Sequence, residues 1–328
     1  MPTPTSVPRT GSTAAAQPVS AGSTASGFRG FAARRPIAAL LIMVFSIGYP
    51  LMAVVALAVH QVIPGYQLID RLPIPPDELS GLLLTWFALL PAALYVTWAA
   101  DGRDGLRQLL RRVTRWRFGV GWWLFVLTAL PLLTVGAGLL LGDTLQPVDP
   151  VAFLLAQVPL LLINLLLVNL WEETAWAGVM QTRLERRHNL FAAAFLTAIP
   201  FGFAHWPLAF LGDVTPLSAV FALVGYILLG ALLRPLAALS MRGARDSVLA
   251  FALLHSVFNR SNNDNGIAAT LLDGDAYRFP IVTVLPVLTL AAALLLRHQL
   301  GPSYRRQLDR MATTSQPLST HTHTEETR

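Results

Sequence analysis

The chain has 328 residues, of which 54% are apolar and only 13% are charged, and its mean hydropathy is +0.55. A soluble domain carries about 25% charged residues, so this composition predicts an integral membrane protein. The absence of cysteine excludes disulfides, thiolate metal sites and a cysteine nucleophile. The net charge of +6 does not indicate nucleic acid as a partner, because the arginines fall mostly between apolar segments.

The predicted elements begin with a polar terminal stretch. Residues 1–28 are mainly Thr, Ser, Ala, Gly and Pro, which predicts a disordered cytoplasmic segment. A transmembrane helical bundle is predicted over residues 29–300, and a largely disordered cytoplasmic tail over residues 301–328. The bundle contains eight apolar spans near the ~20 residues that a bilayer needs, at about 36–59, 80–99, 119–141, 151–180, 189–211, 216–240, 246–259 and 280–297. The seventh is short, which is compatible with a partial span held inside the bundle.

The connections between the spans alternate between high and low arginine content. Connection 100–118 has six arginines and connection 142–150 has none, while Arg234, Arg242 and Arg245 flank the sixth connection. Arginine-rich loops face the cytoplasm. The sequence therefore predicts an all-α, polytopic protein of about eight transmembrane helices, in the cell membrane, with both termini in the cytoplasm.

A few polar side chains interrupt the apolar spans. An ionisable side chain at membrane depth costs several kcal/mol unless it faces protein or water, so it indicates a functional site. The rise of ~1.5 Å per helical residue allows the glutamates of span four to meet the histidines of spans five and seven. The candidate residues are Asn169, Glu172 and Glu173 in span four, His205 in span five, and His255 and Asn259 in span seven.

These residue types are suited to hydrolysis of an amide bond. A carboxylate beside an imidazole can take a proton from water and return it to a leaving amine, while other donors stabilise the oxyanion. Glutamate and histidine are also zinc ligands that leave one position open for water. Neither route needs a protein nucleophile. The one-helix His-Glu-x-x-His zinc motif is absent.

Three short motifs carry a family resemblance. They are the stretch from Glu172 to Ala177 (Glu-Glu-Thr-Ala-Trp-Ala), Phe-Gly-Phe-Ala-His ending at His205, and His-Ser-Val-Phe-Asn from His255 to Asn259. In order, spacing and helical setting they resemble the CAAX-protease and bacteriocin-processing family of intramembrane endopeptidases, across about residues 151–260. The family pattern is Glu-Glu-x-x-x-Arg, Phe-x-x-x-His and His-x-x-x-Asn.

The resemblance implies a role for each matched residue. Glu172 is expected to activate the attacking water with help from His205, while His255 and Asn259 stabilise the oxyanion, and Glu173 completes the catalytic set. A zinc-dependent version, with Glu172, His205 and His255 as ligands, and a metal-independent one are both open. The expected partners are the lipid bilayer and a membrane-associated peptide or protein substrate cleaved by CAAX-type proteolysis, and no nucleic acid.

One departure from the family pattern keeps other functions open. Ala177 stands where the family has arginine, so Glu173 is expected to lack its cationic partner unless another arginine reaches it. This favours, as an alternative, a catalytically inactive immunity or scaffold membrane protein. A proton-coupled transporter that uses Glu172 and His205 as a relay is a second alternative, which the absence of a visible internal repeat disfavours.

Overall fold

The computed structural model describes residues 27–275 and 280–297. Most of them are helical, in the order α1 (Gly27–Arg34), α2 (Pro36–Val59), α3 (Tyr66–Asp70), α4 (Pro76–Val113), α5 (Val120–Leu140), α6 (Pro150–Glu185), α7 (Leu190–Leu211), α8 (Pro216–Gly243), α9 (Val248–Asn262), α10 (Ile267–Leu271) and α11 (Pro280–Leu296). Strand β1 (Thr144–Leu145) pairs antiparallel with β2 (Leu272–Asp273). The predicted disordered segments fall largely outside the described residues, although Gly27 and Phe28 begin α1.

Six of the described helices are long and apolar enough to cross a membrane: α2, α4, α5, α6, α7 and α8. They correspond to the first six predicted spans and confirm an all-α, polytopic membrane protein. The seventh predicted span is α9, whose 15 residues rise only about 22 Å against a hydrocarbon thickness of ~30 Å. Because nearly every residue of α9 is buried, it is a partial span inside the bundle. The eighth, α11, has 17 residues.

Much of the predicted connection 100–118 is helical, because α4 continues to Val113. Gly102 interrupts this helix with φ +68°, a backbone conformation that glycine adopts readily. The part of α4 after Gly102 is an amphipathic helix at the arginine-rich end, and its Arg112 is buried. Arg112 donates to the carbonyl of Gly178 at 2.8 Å and to Asp246 at 2.8 Å. Apolar length alone cannot distinguish such a helix from a polar loop.

Small residues bring α7 and α8 close together. A Cβ added at Gly202 would lie 2.5 Å from Ile227, and one added at Gly230 would lie 3.1 Å from the side chain of Ala198. Close approach of this kind is how membrane helices gain packing energy when no water is there to drive association. The pairing places the polar residues of α7 and α8 beside the middle of α6.

Candidate active site

The two glutamates lie on α6 between two π-helical segments. Leu165–Asn169 and Thr174–Gln181 are π-helical, and the α-helical turn Leu170–Glu173 separates them. Such π-helical turns are rare in proteins, and those that do occur are often found at functional sites. Neighbouring helical residues project about 100° apart, so Glu172 faces α7 whereas Glu173 faces α8 and α9. The adjacent carboxylates therefore have different partners.

Glu172 lies beside His205. Its Oε1 atom is 3.6 Å from His205 Nε2, which is longer than a direct hydrogen bond. His205 Nδ1 lies 2.8 Å from the carbonyl of Phe201 and donates to it, so the lone pair of the neutral ring is on Nε2. Among the described residues, Oε1 of Glu172 has no hydrogen-bond partner although the side chain is only 7% exposed. The pair thus offers two unused acceptor atoms that can hold a water or a cation.

Glu173 is fully buried and has a cationic partner. Arg234 of α8, also fully buried, donates from Nη1 to Oε2 at 2.6 Å and from Nη2 to Oε1 at 2.9 Å. This two-pronged contact is the strong geometry of arginine with carboxylate. Of the two outcomes that Ala177 left open, the structure shows the second, because an arginine from another helix reaches Glu173.

His255 of α9 completes the contacts of Glu173. Its Nδ1 lies 2.7 Å from Oε1 of Glu173. Because a carboxylate only accepts, Nδ1 carries the hydrogen. The rings of Phe201, Phe251 and Phe258 surround the imidazole at centroid distances of 6.3 to 6.5 Å. The orientation of His255 is therefore fixed, and Nε2 is the nitrogen left for other partners.

Asn259 lies one helical turn after His255 and is partly buried. Its Nδ2 is 3.5 Å from Oδ1 of Asn169 on α6, a long contact that holds the amide near the glutamates. Asn169 is fully buried, and its own Nδ2 lacks a partner among the described residues. The structure thus brings the matched residues of α6, α7 and α9 together in the interior of the bundle.

Arg234 is the residue that the sequence reasoning missed. The alternation of arginine-rich and arginine-poor connections assigned it to the flank of the sixth connection. The usable signal is that Pro235 to Leu239 continues the apolar span after it. An arginine followed by more than a turn of apolar helix is still inside the membrane, where such residues pair with one another.

The side chains of the site are of types that bind zinc. Each imidazole donates Nδ1–H to an oxygen, His205 to a carbonyl and His255 to a carboxylate, and this is the usual second contact of a zinc-binding histidine. The predicted His₂Glu ligands would be Oε1 of Glu172 and the two Nε2 atoms, but His205 is not in the group of residues whose ligand atoms converge. Ligand atoms of Glu172, Glu173 and His255 lie within 4.8 Å of one another. Because Arg234 already engages both oxygens of Glu173, Glu173 supports His255 in this scheme and is not a ligand.

Comparison with known proteins gives one family match. No curated protein matches the chain. Residues 154–261 match the family model described as type II CAAX prenyl endopeptidase Rce1-like, a segment that runs from α6 to α9 and contains both glutamates, both histidines, Asn259 and Arg234. The rest of the chain lies outside the match. Through this segment, the chain is similar to the Rce1-like CAAX prenyl endopeptidases, which confirms the family resemblance predicted from its three motifs.

Proposed function

We propose that the protein is an intramembrane endopeptidase that hydrolyses a peptide bond of a membrane-associated peptide or protein by CAAX-type proteolysis. The observation that carries the proposal is the pair of Glu172 and His205, whose facing acceptor atoms are 3.6 Å apart and have no direct hydrogen bond. A water molecule held between them can give its proton to either atom, and by resemblance to the family we assign the proton to Glu172, with the imidazole in support. The match to a protease family supports the same reaction.

Each residue of the site has a role in the two steps of hydrolysis. Glu172 takes a proton as the water oxygen bonds to the carbonyl carbon, and the carbonyl electron pair moves to its oxygen. Nε2 of His255, when it carries a hydrogen, donates to that oxyanion while Glu173 accepts from Nδ1 of the same ring, and Asn259 offers an amide N–H. The C–N bond then breaks, and Glu172 returns the proton to the leaving amine. Donors held in place before the reaction need no rearrangement during it.

A bound zinc ion would supply Lewis-acid polarisation of the carbonyl and a more acidic water. The ligands would be Glu172, His205 and His255, and the test is elemental analysis of the purified protein and of His255→Ala. One zinc per chain, reduced at least about tenfold in occupancy by the substitution, is the result expected of a resident metal. Equal zinc in both proteins would remove His255 from the ligand set, and an active wild type without zinc would assign the reaction to the side chains.

Replacing His205 by alanine is expected to abolish processing without unfolding the protein. The imidazole is partly exposed, and its one hydrogen bond among the described residues is to the carbonyl of Phe201. Loss of an assisting acid–base group lowers the rate by about 10²–10⁴-fold. Mass spectrometry of membrane peptides from cells with wild-type and His205→Ala protein measures the effect. His188→Ala, at the arginine-rich end of α7, is the matched control, and identical profiles for all three proteins would contradict the proposal.

We further propose that the chain lies in the cell membrane with both termini in the cytoplasm. The support is the arginine content of the connections: none in 142–150, against several at the opposite end. Because the chain has no cysteine, single cysteines report orientation cleanly. Ser319→Cys is expected to react with an impermeant maleimide only after permeabilisation, whereas Thr144→Cys reacts in intact cells. The reverse pattern would invert the topology.

The alternative functions lose their main support. The case for an inactive immunity or scaffold protein rested on Ala177, but Glu173 is paired with Arg234. The proton-coupled transporter would need a relay that continues beyond Glu172 and His205 through the bundle. Towards the arginine-rich end, the eight residues after Glu173 are all buried, and most of them are apolar. Substrate-dependent proton flux in liposomes would revive the transporter.

A further inference from the structure

Position 177 contains no group that can pair with Glu173. Ala177 is buried on the π-helical segment of α6, four residues after Glu173. A buried carboxylate without a partner is costly in a medium with few polar groups. The chain has nevertheless kept both glutamates, so the missing charge has to come from elsewhere in the bundle.

Arg234 is held by its backbone as well as its side chain. The carbonyl of Arg234 accepts from Nε2 of Gln181 at 3.0 Å. This hydrogen bond links α8 to α6 about two helical turns after Glu173. The rings of Phe201 and Phe251 lie 4.5 and 5.4 Å from the guanidinium carbon, within the range of cation–π attraction. The guanidinium is therefore confined between two rings with its fork directed at Glu173.

The contact of Arg234 extends to His255 through one oxygen. Oε1 of Glu173 accepts both from Nη2 of Arg234 at 2.9 Å and from Nδ1 of His255 at 2.7 Å. Anchoring the carboxylate thus fixes which nitrogen of His255 carries the hydrogen and where the other one points. A change at Arg234 would release both Glu173 and His255 without touching Glu172 or His205.

We propose that Arg234 replaces the cation that the family motif has at position 177 and is the positioning residue for Glu173 and His255. The inference rests on the proposed function for its effect on catalysis. On this proposal the site needs one cation beside Glu173, and a side chain of either α6 or α8 can provide it. Arginine at either position, but not at both, is then compatible with an ordered site.

Exchanging the two side chains tests the proposal. Ala177→Arg/Arg234→Ala conserves total volume and moves the cation from α8 to α6. With an internally quenched farnesylated CAAX peptide and full-length protein in liposomes, Arg234→Ala is expected to lower kcat at least about 100-fold with KM changed less than about threefold. Ala177→Arg alone is expected to lower both thermal stability and kcat, since it adds a second buried cation.

The double variant is expected to recover at least about tenfold in kcat over Arg234→Ala and to unfold at a higher temperature. Arg234→Lys keeps the charge but cannot make the two parallel hydrogen bonds of a guanidinium. Its kcat is expected to fall between those of the wild type and Arg234→Ala. Arg112→Ala is the control for loss of another buried arginine: it lowers stability but leaves kcat of the folded protein unchanged. A double variant no more active and no more stable than Arg234→Ala would overturn the proposal, as would wild-type kcat in Arg234→Ala.

Failure of the proposed function gives a different result. If the wild type and Glu172→Gln cleave the quenched peptide at the same rate and give the same profile of cellular membrane peptides, the protein is not this protease. The unfolding temperatures of the four proteins in the exchange still test Arg234. A higher unfolding temperature for the double variant than for Arg234→Ala supports the relocated cation, and the absence of such an increase rejects it.

Discussion

Replacing Glu172 by glutamine is expected to reduce cleavage by about 10³-fold or more while the protein remains folded. The amide keeps the shape of the carboxylate but cannot accept a proton from water, and loss of a general base costs about 10²–10⁴-fold in rate. Folding is spared because Oε1 of Glu172 has no hydrogen-bond partner among the described residues. The measurement is initial cleavage rate by purified protein in liposomes, with thermal unfolding recorded on the same samples.

Glu185→Gln is the matched control for this substitution. Glu185 lies on the same helix, at its arginine-rich end, and pairs with Arg242 at 2.9 Å. This ion pair is partly exposed and contributes little to stability, so Glu185→Gln is expected to cleave at the wild-type rate. Equal cleavage by Glu172→Gln and the wild type would remove Glu172 from the reaction and, with it, the assignment of this site.

Replacing Arg234 by methionine is expected to lower the free energy of unfolding by about 3–5 kcal/mol. Methionine fills much of the same space between Phe201 and Phe251 but leaves the fully buried carboxylate of Glu173 with His255 as its one partner in the described part of the chain. An uncompensated buried charge is the main source of this loss. The change is measured by thermal unfolding in detergent and checked by denaturant unfolding where that is reversible.

The double variant Glu173→Gln/Arg234→Met separates charge from packing. Removing both members of a buried ion pair is often nearly neutral, because neither charge is then left without a partner. The double variant is therefore expected to be more stable than Arg234→Met. It is expected to be inactive, because no carboxylate then orients His255. Additive losses in the double variant would show that packing of the arginine stem, and not charge pairing, stabilises this part of the bundle.

The positions of the spans were predictable because membrane helices obey a simple length rule. Spans 36–59 and 189–211 agree with α2 and α7 almost residue by residue, since lipid contact requires continuous apolar sequence. The prediction failed at Arg112 and Arg234. Arg112 was assigned to a connection and Arg234 to the flank of one, because sequence alone does not indicate which neighbouring helix supplies a carboxylate or a carbonyl.

By itself, the sequence determined the class of protein, the six long membrane helices, and the glutamate, histidine and asparagine residues of the three motifs. These follow from apolar length and from the cost of placing polar groups in lipid. Only the tertiary structure decided how those residues pair: Glu172 with His205, and Glu173 with His255 and Arg234. The pairing depends on contacts between α6, α7, α8 and α9. Glu173 and Arg234 are separated by 61 positions in the sequence, so no local sequence pattern indicates that they pair.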